Sequence, residues 1–321
     1  MRKILWLISL RNILNTSFNI SKNHIKINHK INGGLEMIKT IHNVEEIIDF
    51  TWELSQDNLN ASYPRKDSII ELKEYIKKFI DDDSKNVIAS YQQGELCGIC
   101  LYFWIDEEKY VQTKVFLIKD GYDQVGEELI NYIRNQLTGY EFFITGIPFT
   151  NKNANEYFKK KNIKCSESSI VTEIHNLEPR TNQRNHCVEE VSKNNFDEYA
   201  KFHDRYAIPL EMYYNSTNLL KDMERFRVFV YRNASEIIGS IFVKRVMDSA
   251  EIFGLFVHEK YENKGIEGIL INEMLTQLYN ELGEVKEIVY FIEEDSTNEL
   301  NAALTAGFEV QAKYRCYKCI L

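Results

Sequence analysis

Proline and glycine are scarce in this chain of 321 residues, at 4 and 14, and no apolar run approaches the ~20 residues that span a bilayer. With aromatics at 12% and a hydrophobic share of 44%, this scarcity excludes a disordered or low-complexity chain. Positive charge is short as well: 39 Lys and Arg against 48 Asp and Glu leave −9, and no basic run is segregated. Such a chain repels a polyanion, so nucleic acid is not expected as a partner. Six cysteines are too few for a disulfide framework, and a chain this long buries a core without one. The length exceeds one typical core, so two domains are expected.

Two C-x-x-C spacings, Cys97/Cys100 and Cys316/Cys319, raise the question of zinc. Both fall in apolar stretches that read as strands, where positions i and i+3 point to opposite faces, and no His flanks either pair at ligand spacing. The expectation is therefore no metal, and reduced, strand-borne thiols in a cytoplasmic protein. Met1-Arg-Lys3 followed by Ile4-Leu-Trp-Leu-Ile-Ser-Leu10 imitates the start of a signal peptide. The apolar run is only seven residues, Arg11 ends it, and no small-x-small cleavage site follows. Residues 1–36 read as an N-terminal extension, with a membrane-surface anchor as the alternative and no membrane span.

Self-comparison uncovers a repeat. Gln93-Gly-Glu-Leu-Cys-Gly-Ile99 lies 141 positions before Ala234-Ser-Glu-Ile-Ile-Gly-Ser240, each a tight turn entering a strand. The same offset carries Leu129-Ile-Asn131 onto Leu270-Ile-Asn272 and Leu137 onto Leu278, in stretches with helical apolar spacing. In the second copy, strands are expected over 188–191, 227–232, 237–243, 251–257, 288–292 and 308–320. Helices are expected over 196–206, from a loop at 258–268 to about 282, and over 297–305. The first copy repeats this order from 38 to 174. The polar, Pro-bearing stretch around 178–186 reads as a linker between halves 37–177 and 187–321.

This order of strand, glycine-bearing loop, helix, strand and a helix ending in Gly-Phe resembles the GNAT superfamily of acyl-CoA-dependent N-acyltransferases. The resemblance covers almost all of 37–321 as two tandem lobes. It implies an α/β (α+β) fold class, each lobe a mixed, mostly antiparallel sheet flanked by helices. Gly254-Leu-Phe-Val257 and Glu262-Asn-Lys-Gly-Ile-Glu-Gly268 fall on the family's pyrophosphate-binding segment, and Ala306-Gly-Phe308 on its late helix terminus. In the first half, Asn151-Lys-Asn-Ala154, Phe158 and Asn162-Ile163 match its Asn-x-x-Ala…Tyr…Gly-Phe stretch, with Phe and Asn where Tyr and Gly are usual. Independently of the family, a strand running through a glycine loop into a helix aims unpaired amides and the helix dipole at one spot, which suits a pyrophosphate.

The resemblance implies acetyl-CoA as co-substrate, held in the second half, where Gly265 and the Gly-Phe terminus survive. The implied binding residues are Leu255, Phe256, Val257, Asn263, Lys264, Gly265, Ile266, Glu267 and Gly268, with an oxyanion donor among the amides near Phe256 and Val257. Glu251 and Glu294 are the candidate bases. The acceptor is a primary amine of a small molecule or peptide, and an oligomer is compatible with the sequence. Loops 60–65 and 207–214 are the candidate acceptor-selecting segments. Three departures stand out: Glu262 where Arg or Gln is usual, Glu267 where Gly or Ala is usual, and Ala303 in place of the family's acidic Tyr. Tyr261, Tyr290 and Tyr314 are the substitutes considered for it. These losses leave a second reading, an inactive tandem module with a structural or CoA-sensing role. A third, a tRNA-using peptidyl-transferring relative, is opposed by the acidic chain.

Overall fold

The computed structural model describes residues 37–321 except 58, 61, 63, 64, 180–184, 208–211 and 213. The extension 1–36, residues 180–184 of the linker and parts of both acceptor-selecting loops lie outside the described residues.

The first half runs β1 (Met37–Thr40), α1 (Ile48–Gln56), α2 (Ile69–Ile80), β2 (Lys85–Gln92), β3 (Glu95–Ile105), β4 (Tyr110–Ile118), α3 (Glu127–Gln136), β5 (Glu141–Pro148), α4 (Lys152–Lys160) and β6 (Lys164–His175). The second runs β7 (Val188–Glu190), α5 (Phe196–His203), α6 (Ser216–Lys221), β8 (Phe226–Asn233), β9 (Glu236–Val246), β10 (Ser249–Val257), α7 (Ile266–Leu282), β11 (Glu287–Glu293), α8 (Thr297–Thr305) and β12 (Glu309–Ile320). The expected repeat is present. β8 and β9 begin and end 141 positions after β2 and β3, and β10 begins and ends 139 after β4. The two-residue change falls in the hairpin between them, 247–248 against 106–109. The short helix α6 has no counterpart in the sequence reading.

The described chain forms two compact units that differ from its two halves. The first unit holds residues 37–168 and Lys313–Leu321, and the second holds Ser169–Ala312. The first unit's strands lie in the order β1-β2-β3-β4-β5-β12, and the second unit's in the order β6-β11-β10-β9-β8-β7. Each half therefore gives its last strand to the other half's sheet. β12 pairs antiparallel with β5, from Tyr314↔Pro148 to Ile320↔Glu141, and β6 pairs antiparallel with β11, from Glu287↔His175 to Glu293↔Ser169. β4–β5 and β10–β11 pair in parallel.

In the second unit one sheet face packs Ile241, Val243, Ile252 and Leu255 against Leu270, Ile271 and Met274 of α7. The other face packs Phe226, Phe242 and Phe256 with Tyr199, Phe202 and Tyr214. Gly239 sets how closely α7 approaches: a Cβ there would lie 2.9 Å from Ile266 Cγ2 and 3.2 Å from Leu270 Cδ1. The equivalent Gly98 leaves the same space for Val125, 2.5 Å from its would-be Cβ.

None of the six cysteines is in a disulfide, and both C-x-x-C pairs lie on strands, β3 and β12. The expectation that Cys97 and Cys100 face oppositely fails. Cys97 is the extra residue of a bulge between Ser90↔Gly98 and Tyr91↔Leu96, and this turns it onto the core cluster that contains Cys100. No described helix is long and apolar enough to cross a membrane.

Candidate active site

β10 stays registered with β9 to Val257↔Gly239, but its parallel pairing with β11 ends at Ile252↔Tyr290. Phe253 is the extra residue of a bulge at that point. Beyond it the two strands part. His258 continues β10 into the loop, its amide bonded to Ile238 O at 2.8 Å and its Nδ1 accepting from Lys260 N at 3.2 Å. Asn263 (φ 62°) accepts a 2.7 Å bond from Asn298 Nδ2 of α8, which ties the loop down.

Gly265 precedes α7 with φ 75°, a left-handed conformation that glycine adopts without strain. No side chain caps the helix, and its first bond is Ile269 N to Gly265 O at 3.2 Å. Among the described residues, no acceptor faces the amides of Ile266, Glu267 and Gly268. A Cβ built on Gly265 or on Gly268 meets no atom within 4 Å. Three amides, the positive end of a 17-residue helix and an unobstructed approach converge here, and they fit a pyrophosphate.

The local charges sort themselves by direction. Lys264 is exposed, its Nζ 4.6 Å from the Tyr261 ring centroid. Tyr261 in turn accepts a 3.1 Å bond from Asn233 Nδ2. Glu262 is exposed. Glu267 is not: it is 7% exposed and close enough to Tyr290 for its charge to oppose ionisation of the phenol. Leu255 and Phe256 are buried, Val257 is half-buried, and the Phe256 ring stacks on Tyr206 at 5.0 Å and 9°.

The two candidate bases are not brought together. Glu251 is buried on the rung before the strands part, whereas Glu294 is exposed in the turn after β11. Of the tyrosines weighed as the acid, Tyr314 belongs to β12 in the first unit. Tyr290 is buried and donates its proton to Glu299 of α8, and burial chiefly raises its pKa. Ala303 is fully buried in the α7 core.

His203, the last residue of α5, is buried. Its Nε2 meets the Tyr214 carbonyl at 2.7 Å, so this nitrogen carries the proton, while Nδ1 accepts from Tyr199 Oη at 2.8 Å. Burial lowers its pKa, and it pins the Tyr214 segment to α5.

Lys244 is the residue that sequence reasoning missed. It stands opposite Glu251 on β9, is 1% exposed, and donates to Tyr214 Oη at 2.5 Å. Its Nζ lies 4.8 Å from the Tyr214 ring centroid and 5.5 Å from those of Phe226 and Phe253. Tyr214 passes the chain of bonds on to Asp222 Oδ2 at 3.2 Å. Burial and then the Arg225 charge lower the Lys244 pKa to about 8, with Asp222 and Glu251 acting the other way. A signal existed: the position 141 residues earlier is Phe103, so a charge replaces a ring inside the repeat.

The first unit differs at each corresponding point. Gln112 stands where the second unit has Glu251. Parallel pairing of β4 with β5 ends at Gln112↔Phe143, and bonds then join the strands. Thr145 N donates to Thr113 Oγ1 at 3.1 Å, and Thr145 Oγ1 donates to Thr113 O at 2.7 Å and accepts from Gln112 Nε2 at 3.3 Å. At the start of α3, a Cβ on Gly126 would lie 3.2 Å from the buried Tyr157 ring.

Away from both splits, Glu173, His175 and Glu287 of the second unit bring ligand-type atoms within 4.8 Å of one another, a grouping the sequence did not suggest.

Residues 188–308 match the model of the Acetyltransferase (GNAT) family. No curated protein matches the chain. Among solved structures, a GCN5-related N-acetyltransferase from Sphaerobacter thermophilus has a TM-score of 0.61 at 14% identity, covering 89% of this chain and 95% of that one. A tandem GNAT protein from the clavulanic acid biosynthesis pathway has a TM-score of 0.53 at 12% identity, covering 89% and 98%. The chain therefore has the tandem GNAT fold, and the match to the family model falls on its residues 188–308.

Proposed function

We propose that the protein is an N-acyltransferase that moves an acetyl group from acetyl-CoA to a primary amine, with the site in the second unit. The observation that carries this reading is the start of α7. Uncapped amides and two glycines with open space stand one loop beyond the strand that leaves its parallel neighbour. The pyrophosphate lies on those amides, and the pantetheine arm enters where β10 and β11 part, extended beside β10 like an added strand. Asn263 and Lys264 flank the phosphates, and Lys264 supplies the positive charge that Glu262 and Glu267 subtract. Glu267, turned inward, stays off the phosphate path.

Acyl transfer needs a neutral amine, an oxyanion donor and a proton for the leaving thiolate. Glu251 takes the proton of the docking ammonium, and the β10 backbone near Phe256 and Val257 donates to the oxyanion. The first unit's threonine bonds and its Tyr157-covered helix start support a non-catalytic role for that unit.

The test is thiol release from acetyl-CoA across a panel of primary amines, from polyamines to amino acids and peptide N-termini. At least one amine is expected to accelerate release, and Glu251→Gln to reduce that rate by roughly 10²-fold, the scale of a lost general base. Release unchanged by every amine contradicts the reading. The second reading, a CoA-sensing module without turnover, is favoured by buried Ala303 at the family's Tyr position and by the Tyr290 hydroxyl, which is buried and engaged in a hydrogen bond to Glu299. Binding of acetyl-CoA with no amine-dependent release selects it.

A further inference from the structure

Lys244 is an amine already inside the second unit, on the face of the sheet that carries Glu251. Its neighbours are those a bound substrate amine would need. Tyr214, Phe226 and Phe253 form a ring box around Nζ, Tyr214 Oη accepts one of its protons, and Glu251 stands across the strand pair. Phe253, the wall nearest the point where β10 and β11 part, is only half-buried, so the box is thinnest toward the split. Lys244 is 1% exposed, and Tyr214 Oη is its one hydrogen-bond partner among the described residues. A buried ammonium so sparsely bonded is costly, and loss of its charge relieves that cost.

We propose that Lys244 is an internal acyl acceptor, a self-acetylation site that takes the acetyl group when acetyl-CoA is bound and no external amine is present. This rests on the reading of the second unit as the acetyl-CoA site. The ammonium gives one proton to Glu251, and the neutral Nζ attacks the thioester carbonyl. The Nζ–C bond forms as the C–S bond breaks, and the second proton lost from nitrogen ends on the departing thiolate. The products are Nζ-acetyl-lysine and CoA. The acetylated side chain is neutral, so the box loses its cation and Glu251 loses the positive charge opposite it. The site thereby registers acetyl-CoA that has found no acceptor.

The facing charges set the pH dependence: Glu251 from β10, and Asp222 and Arg225 from the segment after α6. With the lysine titrating near 8, its neutral fraction rises about tenfold from pH 7 to pH 9.

The experiment incubates the full chain with isotopically labelled acetyl-CoA and maps label by peptide mass spectrometry, alongside calorimetric titration with acetyl-CoA. Label at Lys244 is expected at least about tenfold above that at exposed Lys159 and Lys264. Its rate should rise about tenfold from pH 7 to pH 9, and Glu251→Gln should slow it. Guanidinium unfolding should erase the preference, since all lysines are then alike. Lys244→Arg should bind acetyl-CoA but take no label at 244. Binding heat with Lys244 labelled no faster than Lys159 overturns this inference and leaves the proposed function standing. Absence of binding heat overturns both.

Discussion

Lys244 lies against Phe253 in the second unit as Lys114 lies against Phe103 in the first, with the amine and the ring exchanged between strands. The Nζ-to-centroid distances are 5.5 and 5.1 Å, and both lysines are buried, at 1% and 5% exposure. Phe253 and Lys114 are each the bulge residue just past the last rung of parallel pairing. Both copies thus keep a cation–ring contact at one place, and the β10 residue registered opposite Lys244 is Glu251, where the corresponding position of β4 holds Gln112.

The Lys244 site makes stability depend on alkaline pH. Burial lowers its pKa in the folded protein to about 8, below its unfolded value near 10.4, so the unfolded chain binds more protons in that window. Its contribution is therefore fully present above the unfolded value and is lost as pH falls through 8. Denaturant melts of wild type and Lys244→Met should diverge by up to about 3 kcal/mol between pH 7 and pH 10.4, the wild type gaining with pH. Parallel curves contradict the buried amine.

Gly268 faces open space inside the first turn of α7, so Gly268→Ala improves helix propensity by about 0.5–1 kcal/mol without a clash. The added methyl group stands before the amides that hold the pyrophosphate. Chemical denaturation should therefore show a gain in stability, and calorimetry a loss of affinity for acetyl-CoA. Unchanged affinity would mean that the phosphates lie elsewhere.

Gly239 answers to packing instead. A Cβ there meets Ile266 and Leu270 at 2.9 and 3.2 Å, so Gly239→Ala should cost about 1–3 kcal/mol and displace the start of α7. Stability and acetyl-CoA affinity are expected to fall together, unlike the opposite signs at Gly268.

The Thr145 bonds hold the first unit's strands together where they would otherwise part. Thr145→Val leaves buried Gln112 and Thr113 groups short of partners, at about 1–3 kcal/mol. Affinity for acetyl-CoA should not change, which a calorimetric titration of the variant checks.

Much of this architecture was legible in the sequence because duplication writes each element twice. The turns at Gln93 and Ala234, both at φ 53°, announce the β2–β3 and β8–β9 hairpins, and Gly265 marks the start of α7. The strand exchange was not legible. β6 and β12 are both twelve residues long, and nothing local tells either which sheet it completes. The Lys244 box was hidden for a related reason: its walls come from residues 214, 226 and 253, and only the fold brings them to one amine. The direction of Glu267 also needed coordinates, because its position in the loop gives no hint that it turns toward Tyr290.

Titration of the full chain with CoA by calorimetry, beside Gly268→Glu, tests the central claim most directly. One CoA per chain is expected for the wild type, with affinity lowered at least about 100-fold when a carboxylate is set before the α7 amides, and no effect of Thr145→Val. A wild type that gives no heat, or a Gly268→Glu variant that binds CoA as tightly as the wild type, contradicts it.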